Sequence, residues 1–320
     1  MKLNRRAALA GVAALGAAPK AFAQAFPSKP IKIVVPFAAG SATDLTARGL
    51  GAKLQEILKQ PIIVDDKPGA SGQLGAAAAA TAPADGYTLL MGTNTTNAAN
   101  GALFKQLSYD PEKDFAPIMR CVTGVNALVV NNDLPVKTVA ELIDYAKKNP
   151  GKLNYSEASA SQRLSGEMFN QMAGVKIERV PYKASPQALG DVASGQVQLM
   201  FPDLPQALTQ IEAGRVRGLA TTGPKRTSVA PDLPAIAETV PGYSLVYWLA
   251  VFAPAGTPKP IQKALYEAIA EALKDPATGK AMTQGRMEIS PLGLDEFAAY
   301  VKTETEWWTK AIKAAGIEAE

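Results

Sequence analysis

The sequence predicts an α/β protein with two domains. Short apolar segments alternate with amphipathic segments along most of the chain, and this alternation is typical of parallel sheets whose strands are joined by crossover helices. The length of 320 residues exceeds what one core usually holds, so two domains are expected. A hydrophobic content of 47% with mixed charges favours a folded chain.

The predicted elements follow one another without an internal repeat. Strands are expected near 31–35, 61–65, 87–91, 127–131, 177–181, 197–201, 216–220 and 247–253. Helices are expected near 42–59, 72–80, 138–148, 161–173, 186–194, 204–213, 258–274 and 294–315. The last helix has one apolar face, which predicts core packing rather than a ligand site. That face consists of Phe297, Val301, Trp308 and Ile312.

The first 23 residues have the pattern of an export signal. A basic start at Lys2, Arg5 and Arg6 precedes the apolar stretch 7–18, and a small-x-small cleavage pattern ends at Ala23. The apolar stretch is too short for a membrane span, which needs roughly 20 residues. The paired arginines leave both the general and the twin-arginine export routes open. We therefore expect an exported protein that is cleaved near Ala23.

Composition excludes several classes of function. Four of the 33 basic residues lie in the first 23, so the rest of the chain balances its 29 acidic residues and a nucleic-acid partner is not expected. The single cysteine, Cys121, permits no internal disulfide and no lipid anchor at the cleavage pattern. The chain contains no histidine, which removes the Ser-His-Asp arrangement and the usual zinc ligand sets. We expect no metal, no cofactor and no enzyme activity. The open alternative is an exported enzyme that uses two carboxylates, such as Asp44 and Asp203, as an acid/base pair.

Four polar stretches follow predicted strands, at the sheet edge where open α/β folds bind ligands. The first, GSATD from Gly40, opens a helix whose unpaired N–H groups favour an anion. Ser41 and Asp44 also fit a plain helix cap, and that interpretation stays open. No phosphate-loop string Gly-x4-Gly-Lys-Ser/Thr occurs, so a small carboxylate is favoured over a nucleotide. The other three stretches, each also consistent with an ordinary polar loop or cap, are 92–100, 155–164 and 200–208.

Six segments carry a resemblance to a known family: PIKIVVPFAAGSATDLTAR, KPGASGQLGA, PADGYTLLMGTN, YDPEKDFAPI, VPYKASPQALGDVASGQVQLMF and YWLAVFAPAGTPKPI. In this order they resemble the substrate-binding receptors of tripartite tricarboxylate transporters, the Bug-type periplasmic solute-binding proteins. The resemblance implies a two-domain periplasmic binding protein of the type II, Venus flytrap arrangement. It further implies parallel-rich sheets and a hinge crossed by two strands, near 120–130 and 245–252. The implied lobes are 26–125 with 246–320, and 126–245.

The resemblance also implies a ligand and partners. The ligand would be a small dicarboxylate, amino acid or aromatic acid, held largely by backbone N–H groups. The protein would act in the periplasm, and its partners would be the membrane subunits of a transporter. A monomer is expected, and presentation of the ligand to a membrane signalling protein is the open alternative. The residues expected to bind the ligand are Phe37, Ala39, Gly40, Ser41, Ala42, Thr43, Asp44, Thr93, Asn94, Thr95, Thr96, Ser156, Ser159, Ala160, Ser161 and Asp203.

The chain departs from the family pattern at several positions. Asn97 and Arg163 stand where histidine is common, and Pro202 stands where an acid is frequent. The loop 155–164 is shorter than usual and has lost the glycine pattern. The identity of the ligand therefore does not follow from the resemblance.

Overall fold

The structure is a computed structural model that describes residues 26–284 and 286–320, and the export signal predicted at 1–23 lies outside them. The strands are β1 (Ile31–Val35), β2 (Ile62–Asp66), β3 (Thr88–Thr93), β4 (Phe115–Val125), β5 (Ala127–Asn131), β6 (Asn154–Glu157), β7 (Glu178–Pro181), β8 (Leu199–Met200), β9 (Val216–Thr221), β10 (Val246–Pro254) and β11 (Glu288–Gly293). The helices are α1 (Ala42–Leu58), α2 (Gln73–Ala80), α3 (Asn100–Leu103), α4 (Val139–Lys148), α5 (Ala160–Ala173), α6 (Ser185–Ala193), α7 (Leu204–Glu212), α8 (Lys259–Leu273), α9 (Pro276–Thr283) and α10 (Leu294–Ala314). A π-helical turn at Thr95–Ala99 leads into α3.

Six strands form the sheet of the first lobe, in the order β11-β4-β10-β3-β1-β2. β1 pairs in parallel with β2 and β3, whereas β10 runs antiparallel to β3 and β4. The run IKIVV of β1 is buried at all but its second position, because apolar clusters cover both faces of the sheet. Helices α1 and α8 pack on one face, and α2 and α10 pack on the other.

Five strands form the sheet of the second lobe, in the order β7-β6-β8-β5-β9. β6 pairs in parallel with β7 and β8, whereas β5 runs antiparallel to β8 and β9. Helices α4 and α5 cover one face of this sheet, and α6 and α7 cover the other. Each lobe is therefore a three-layer α/β/α unit with its own core.

The chain crosses between the two sheets twice. β4 ends at Val125 and β5 begins at Ala127, so Asn126 alone separates the sheets at the first crossing. The second crossing leaves β9 and returns through 222–245 into β10. The two crossings are tied together, since Asn126 N–H donates to Thr222 Oγ1 and Thr222 N–H donates to the Asn126 carbonyl, both at 2.9 Å. These paired segments form the hinge.

The predicted two-lobe α/β class is confirmed, and the sheets are mixed rather than parallel-rich. In the described part of the chain five strand pairs are antiparallel and four are parallel. The cause lies in the crossings: β10 returns between β3 and β4 in the direction opposite to both, and β5 opposes both of its neighbours. A fully buried strand has the same apolar pattern in either kind of sheet, so the sequence does not distinguish them.

The predicted strands and helices lie within two residues of observed ones, and the apolar face of α10 is buried as expected. The sequence pattern misses β4, β6, β11, α3 and α9, and the strand near 120–130 that the resemblance implies covers only part of β4. No helix in the described residues is long and apolar enough to cross a membrane.

Candidate functional site

A polar pocket lies between the two lobes, and turns from both of them line it. Its cavity volume is small, about 30 Å³, in the arrangement of the lobes that the structure shows. Among the described residues no lysine or arginine lines it. The lining residues are Phe37, Ser41, Thr43, Thr93, Asn94, Thr95, Ser159, Ser161, Gln162, Ser185, Asp203, Tyr247 and Leu249.

The turn between β1 and α1 forms one wall and is held by its own side chains. Ser41 caps α1, and its Oγ accepts from the N–H of Asp44 at 3.2 Å. Asp44 Oδ2 accepts from the N–H of Gly40 at 2.8 Å, and the N–H of Ser41 donates to the Ala38 carbonyl at 3.1 Å. Asp44 also pairs with Arg48 at 2.6 Å.

This pairing corrects one expectation about the ligand. The N–H groups of Gly40 and Ser41, predicted to hold a carboxylate, are already used inside the turn, and Asp44 holds the turn together. The Ser41-x-x-Asp44 motif is therefore a helix cap, as the alternative interpretation stated. The hydroxyls of Ser41 and Thr43 still line the pocket.

The turn after β3 adds buried amide and hydroxyl groups to the same wall. Thr93 Oγ1 accepts from the N–H groups of Thr95 and Thr96, at 3.1 and 3.3 Å. Thr96 does not line the pocket, and its hydroxyl donates to Asn97 Oδ1 at 2.7 Å. Asn94 is only 1% exposed, and its Nδ2 has no hydrogen-bond partner in the described chain. This amide is an unused donor in the wall of the pocket.

The opposite wall comes from the second lobe, at the start of α5. Ser159 caps this helix, and its Oγ lies 3.1 Å from Ser161 Oγ. Gln162 Nε2 donates to Ser185 Oγ at 2.8 Å, which links the first turns of α5 and α6. Gln162 Oε1 accepts from the N–H of Ala158 at 2.8 Å. The wall is a hydroxyl-rich surface that the helix starts hold in place.

Asp203 and Tyr247 lie at the back of the pocket, next to the hinge. Asp203 forms a β-bridge with Asn126 and precedes α7 directly. Burial raises the pKa of Asp203 to about 6, and hydrogen bonds with the Ala42 N–H and the Gln162 side chain partly offset that rise. Burial, and then the charge of Asp203, raise the pKa of Tyr247. Tyr247 Oη is buried and has no hydrogen-bond partner in the described chain.

Ion pairs and hydrogen bonds join the lobes around the pocket. Arg286, just before β11, contacts both carboxylate oxygens of Glu212 on α7 at 2.6 and 2.7 Å. Glu320 Oε1 lies 2.9 Å from Arg163 and 2.6 Å from Arg179, both in the second lobe, while its backbone is bonded to the region of α3. Gln206 Nε2 donates to the Gly40 carbonyl at 3.2 Å. The structure therefore shows the lobes in contact across the pocket.

Comparison with known proteins identifies the family. A family model described as "Tripartite tricarboxylate transporter family receptor" matches residues 46–317. The chain belongs to this family. Solved structures that this receptor resembles include R. palustris Rpa4515 with adipate, at 37% identity and a TM-score of 0.89, with 92% of this chain and 100% of that chain covered. The periplasmic binding protein BugD is similar at 32% identity and a TM-score of 0.87, over 92% and 100% of the two chains.

A third similar structure is MatC (Rpa3494) from Rhodopseudomonas palustris with bound malate, at 30% identity and a TM-score of 0.82, over 90% of this chain and 100% of that chain. The family and these structural neighbours are solute-binding proteins rather than enzymes. The two-lobe architecture of the receptor family is thus established for this chain.

Some of the predicted binding residues line the pocket of this receptor, and the others lie elsewhere. Nine of them line the pocket together: Phe37, Ser41, Thr43, Thr93, Asn94, Thr95, Ser159, Ser161 and Asp203. Ala39 and Gly40 line a neighbouring groove, and Ala160 lines another. Ala42 reaches the site only through its N–H, toward Asp203. Asp44 and Thr96 hold their turns as described, and Ser156 is turned away, since its Oγ donates to the Ala188 carbonyl at 3.4 Å.

Sequence reasoning missed four lining residues: Gln162, Ser185, Tyr247 and Leu249. In the sequence, Ser159-x-x-Gln162 has the spacing of a helix cap, which gives no sign that the Gln162 side chain also links the starts of α5 and α6. Tyr247 and Leu249 belong to β10, whose apolar run indicates core packing. The one usable signal is their place at the start of β10, just after the second crossing.

Proposed function

We propose that this receptor binds a small organic carboxylate between its lobes and presents it to the membrane subunits of a tripartite tricarboxylate-type transporter. One observation carries the proposal. Hydroxyl and amide groups from both lobes line one pocket, and two buried polar atoms in it, Asn94 Nδ2 and Tyr247 Oη, have no partner in the described chain. Because buried polar groups are normally paired, these atoms indicate a polar ligand. The adipate and malate bound by two solved relatives support a carboxylate.

Neutral donors from both walls bind the carboxylate in this proposal. The first lobe offers the hydroxyls of Ser41 and Thr43 and the amide of Asn94. The second lobe offers the hydroxyls of Ser159 and Ser161. A hydrogen bond to a charged group contributes roughly 1.5–3 kcal/mol. Three or four of them, less the costs of ordering and desolvation, reach the roughly −8 kcal/mol of micromolar affinity.

The proposal includes the organisation and location of the receptor. Its lobes are 26–125 with 246–320, and 126–245, and the strand composition of the two sheets supports this division. It acts as a monomer in the periplasm after removal of the signal at 1–23, which the periplasmic relative BugD supports. It leaves its ligand chemically unchanged, and the receptor role of the family supports this.

A thermal-shift screen of the mature protein tests the ligand class. A solute that binds only the native state raises the unfolding midpoint in proportion to its occupancy. We expect shifts with mono- and dicarboxylates or amino acids and none with sugars or nucleosides. If no carboxylate in the millimolar range shifts the midpoint, the proposed function is wrong.

A pair of matched variants tests the site. Thr43→Val removes a pocket hydroxyl with little change in volume and should weaken binding of the best carboxylate roughly tenfold by calorimetry. Thr305→Val removes the hydroxyl of a threonine on α10 that donates to the Val301 carbonyl, outside the pocket, and should leave affinity unchanged. Equal affinities for both variants and wild type would remove this pocket from the proposal. Loss of uptake of the solute in a deletion strain checks transport, and intact uptake with a lost transcriptional response would favour sensing.

A further inference from the structure

The charge inside the pocket is unusual for a site that takes an anion. Asp203 contributes a carboxyl to the lining, and no lysine or arginine of the described chain lies there to balance it. The arginines on surrounding elements, Arg48, Arg163 and Arg286, each pair with a carboxylate other than Asp203. A second carboxylate entering beside Asp203 would meet repulsion without a counter-charge.

The main chain fixes Asp203 in this position. Its carbonyl accepts from the N–H of Ala207 at 3.0 Å, in the first turn of α7, and its backbone bridges to Asn126 at the first crossing. The preceding Pro202 carbonyl accepts from the N–H of Ala127 at 2.9 Å. The carboxyl thus stays at the back of the pocket, on a segment that the hinge holds.

We propose that Asp203 makes the pocket select carboxylates that also carry an ammonium group, so that amino acids bind in preference to the matching dicarboxylates. This inference rests on the proposed function and names its substrate class. The ligand's carboxylate lies against the neutral donors of the first lobe, including the unpartnered Asn94 amide, and its ammonium lies against Asp203. An ammonium supplies three donors, and a carboxylate is their natural acceptor.

The electrostatics of the pocket agree with this orientation. Burial raises the pKa of Asp203 to about 6, which means that its negative charge is poorly solvated where it lies. A cation beside Asp203 therefore offsets the desolvation free energy of the carboxylate, which the protein without ligand must bear. At pH 7.5 the group is mainly ionised and attracts the ammonium. Tyr247, whose pKa is raised by burial and by Asp203, stays neutral and adds no charge.

Calorimetry with matched ligand pairs tests the inference. Succinate with aspartate, glutarate with glutamate, and adipate with 2-aminoadipate each differ by one ammonium group. For at least one pair we expect the amino acid to bind tenfold to a hundredfold more tightly than the dicarboxylate at pH 7.5. In Asp203→Asn that preference should vanish or reverse. Asp203→Ser serves as a second variant should the first fold poorly, and Asp133→Asn, an exposed carboxyl of the same lobe, is the charge-matched control.

The outcomes separate this inference from the proposed function. Equal binding of both members of every pair, or a preference that persists in Asp203→Asn, overturns the role of Asp203 and leaves carboxylate binding intact. Tighter binding of the dicarboxylates, growing as the pH falls from 7.5 to 5.5, also overturns it, because a protonated Asp203 then acts as a donor. Failure of every member to bind contradicts the proposed function itself.

Discussion

Replacing Arg286 with alanine should weaken ligand binding although Arg286 does not line the pocket. Its guanidinium contacts both oxygens of Glu212 and donates to the Pro205 carbonyl at 3.2 Å and to Thr209 Oγ1 at 3.0 Å. All three partners belong to α7 of the second lobe, whereas Arg286 precedes a strand of the first. These contacts therefore favour the arrangement in which the lobes touch.

The energy of the Arg286 contacts can be judged from the exposed fractions of the side chains. The side chain of Arg286 is 22% exposed and that of Glu212 is 60% exposed, so the ion pair is well solvated and contributes at most about 1 kcal/mol. The two hydrogen bonds to neutral acceptors contribute about 0.5–1.5 kcal/mol each. Together they favour closure by roughly 1–4 kcal/mol, and if the free receptor is mainly open the whole amount is lost from binding. The dissociation constant should rise roughly fivefold to 700-fold.

The assay is calorimetry with the carboxylate that gives the largest thermal shift, together with small-angle scattering of the liganded protein. The matched control is Arg226→Ala, which removes an equally bidentate pair with Glu238 at 2.9 Å that lies wholly within the second lobe. The control should change the dissociation constant less than twofold. A change of less than twofold for Arg286→Ala, or equal effects of the two variants, would refute the reasoning. The relative affinities of different ligands should not change, since Arg286 does not line the pocket and contacts no ligand.

Three further variants address single groups. Tyr247→Phe removes a buried hydroxyl that has no partner in the described chain, so stability should stay equal or rise by up to about 1 kcal/mol while affinity falls; a clear loss of stability in urea would mean that the hydroxyl has a protein partner. Burial raises the pKa of Glu157 from 4.5 to about 7. The folded state then holds this proton more tightly, so its contribution to stability is complete below pH 4.5 and is lost as the pH rises toward 7; Glu157→Gln should flatten that decline in thermal melts, and an unchanged pH profile would contradict it. Gly40→Val places a β-branched residue at φ +78°, where its Cβ meets nothing within 4 Å. We expect the free energy of unfolding to fall by about 1–2 kcal/mol and binding to weaken because Ser41 and Thr43 are displaced. Unchanged affinity by calorimetry would argue against a role of this turn in binding.

The sequence predicts those parts of the fold that apolar periodicity marks. β1 and α10 are examples, because each has a continuous buried pattern and a clear end. β6 escapes detection although it lies inside the second sheet, because its residues are Asn-Tyr-Ser-Glu and lack an apolar pattern. Its buried Glu157 pairs with Arg179 at 3.2 Å. β11 escapes for the opposite reason, since an edge strand with Pro291 and an irregular register has little pattern to detect.

The site is predictable only where one turn supplies it. Ser41 and Thr43 follow directly from the strand-turn-helix pattern, and the structure brings them into the pocket. Gln162 and Ser185 form a pair that spans two helices, and nothing local in either segment indicates the partner. The use of the Gly40 N–H also depends on which way the Asp44 carboxyl turns, and spacing leaves that undecided.

The place of the pocket beside the hinge links selectivity to closure. Asp203 forms a β-bridge with Asn126 at the first crossing. Tyr247 lies at the start of β10, the strand that the second crossing enters. Because both groups lie beside the hinge, we expect their distance from a ligand to change little when the lobes close. A ligand shifts the equilibrium only by the difference between its contacts in the two states. A solute that pairs with Asp203 alone would therefore bind without closing the receptor, whereas one that also reaches from Ser41 to Ser159 gains contacts only when the lobes meet. Under the proposed function we therefore expect the charge of Asp203 to govern which solutes enter, and the length of a solute to govern whether it brings the lobes together.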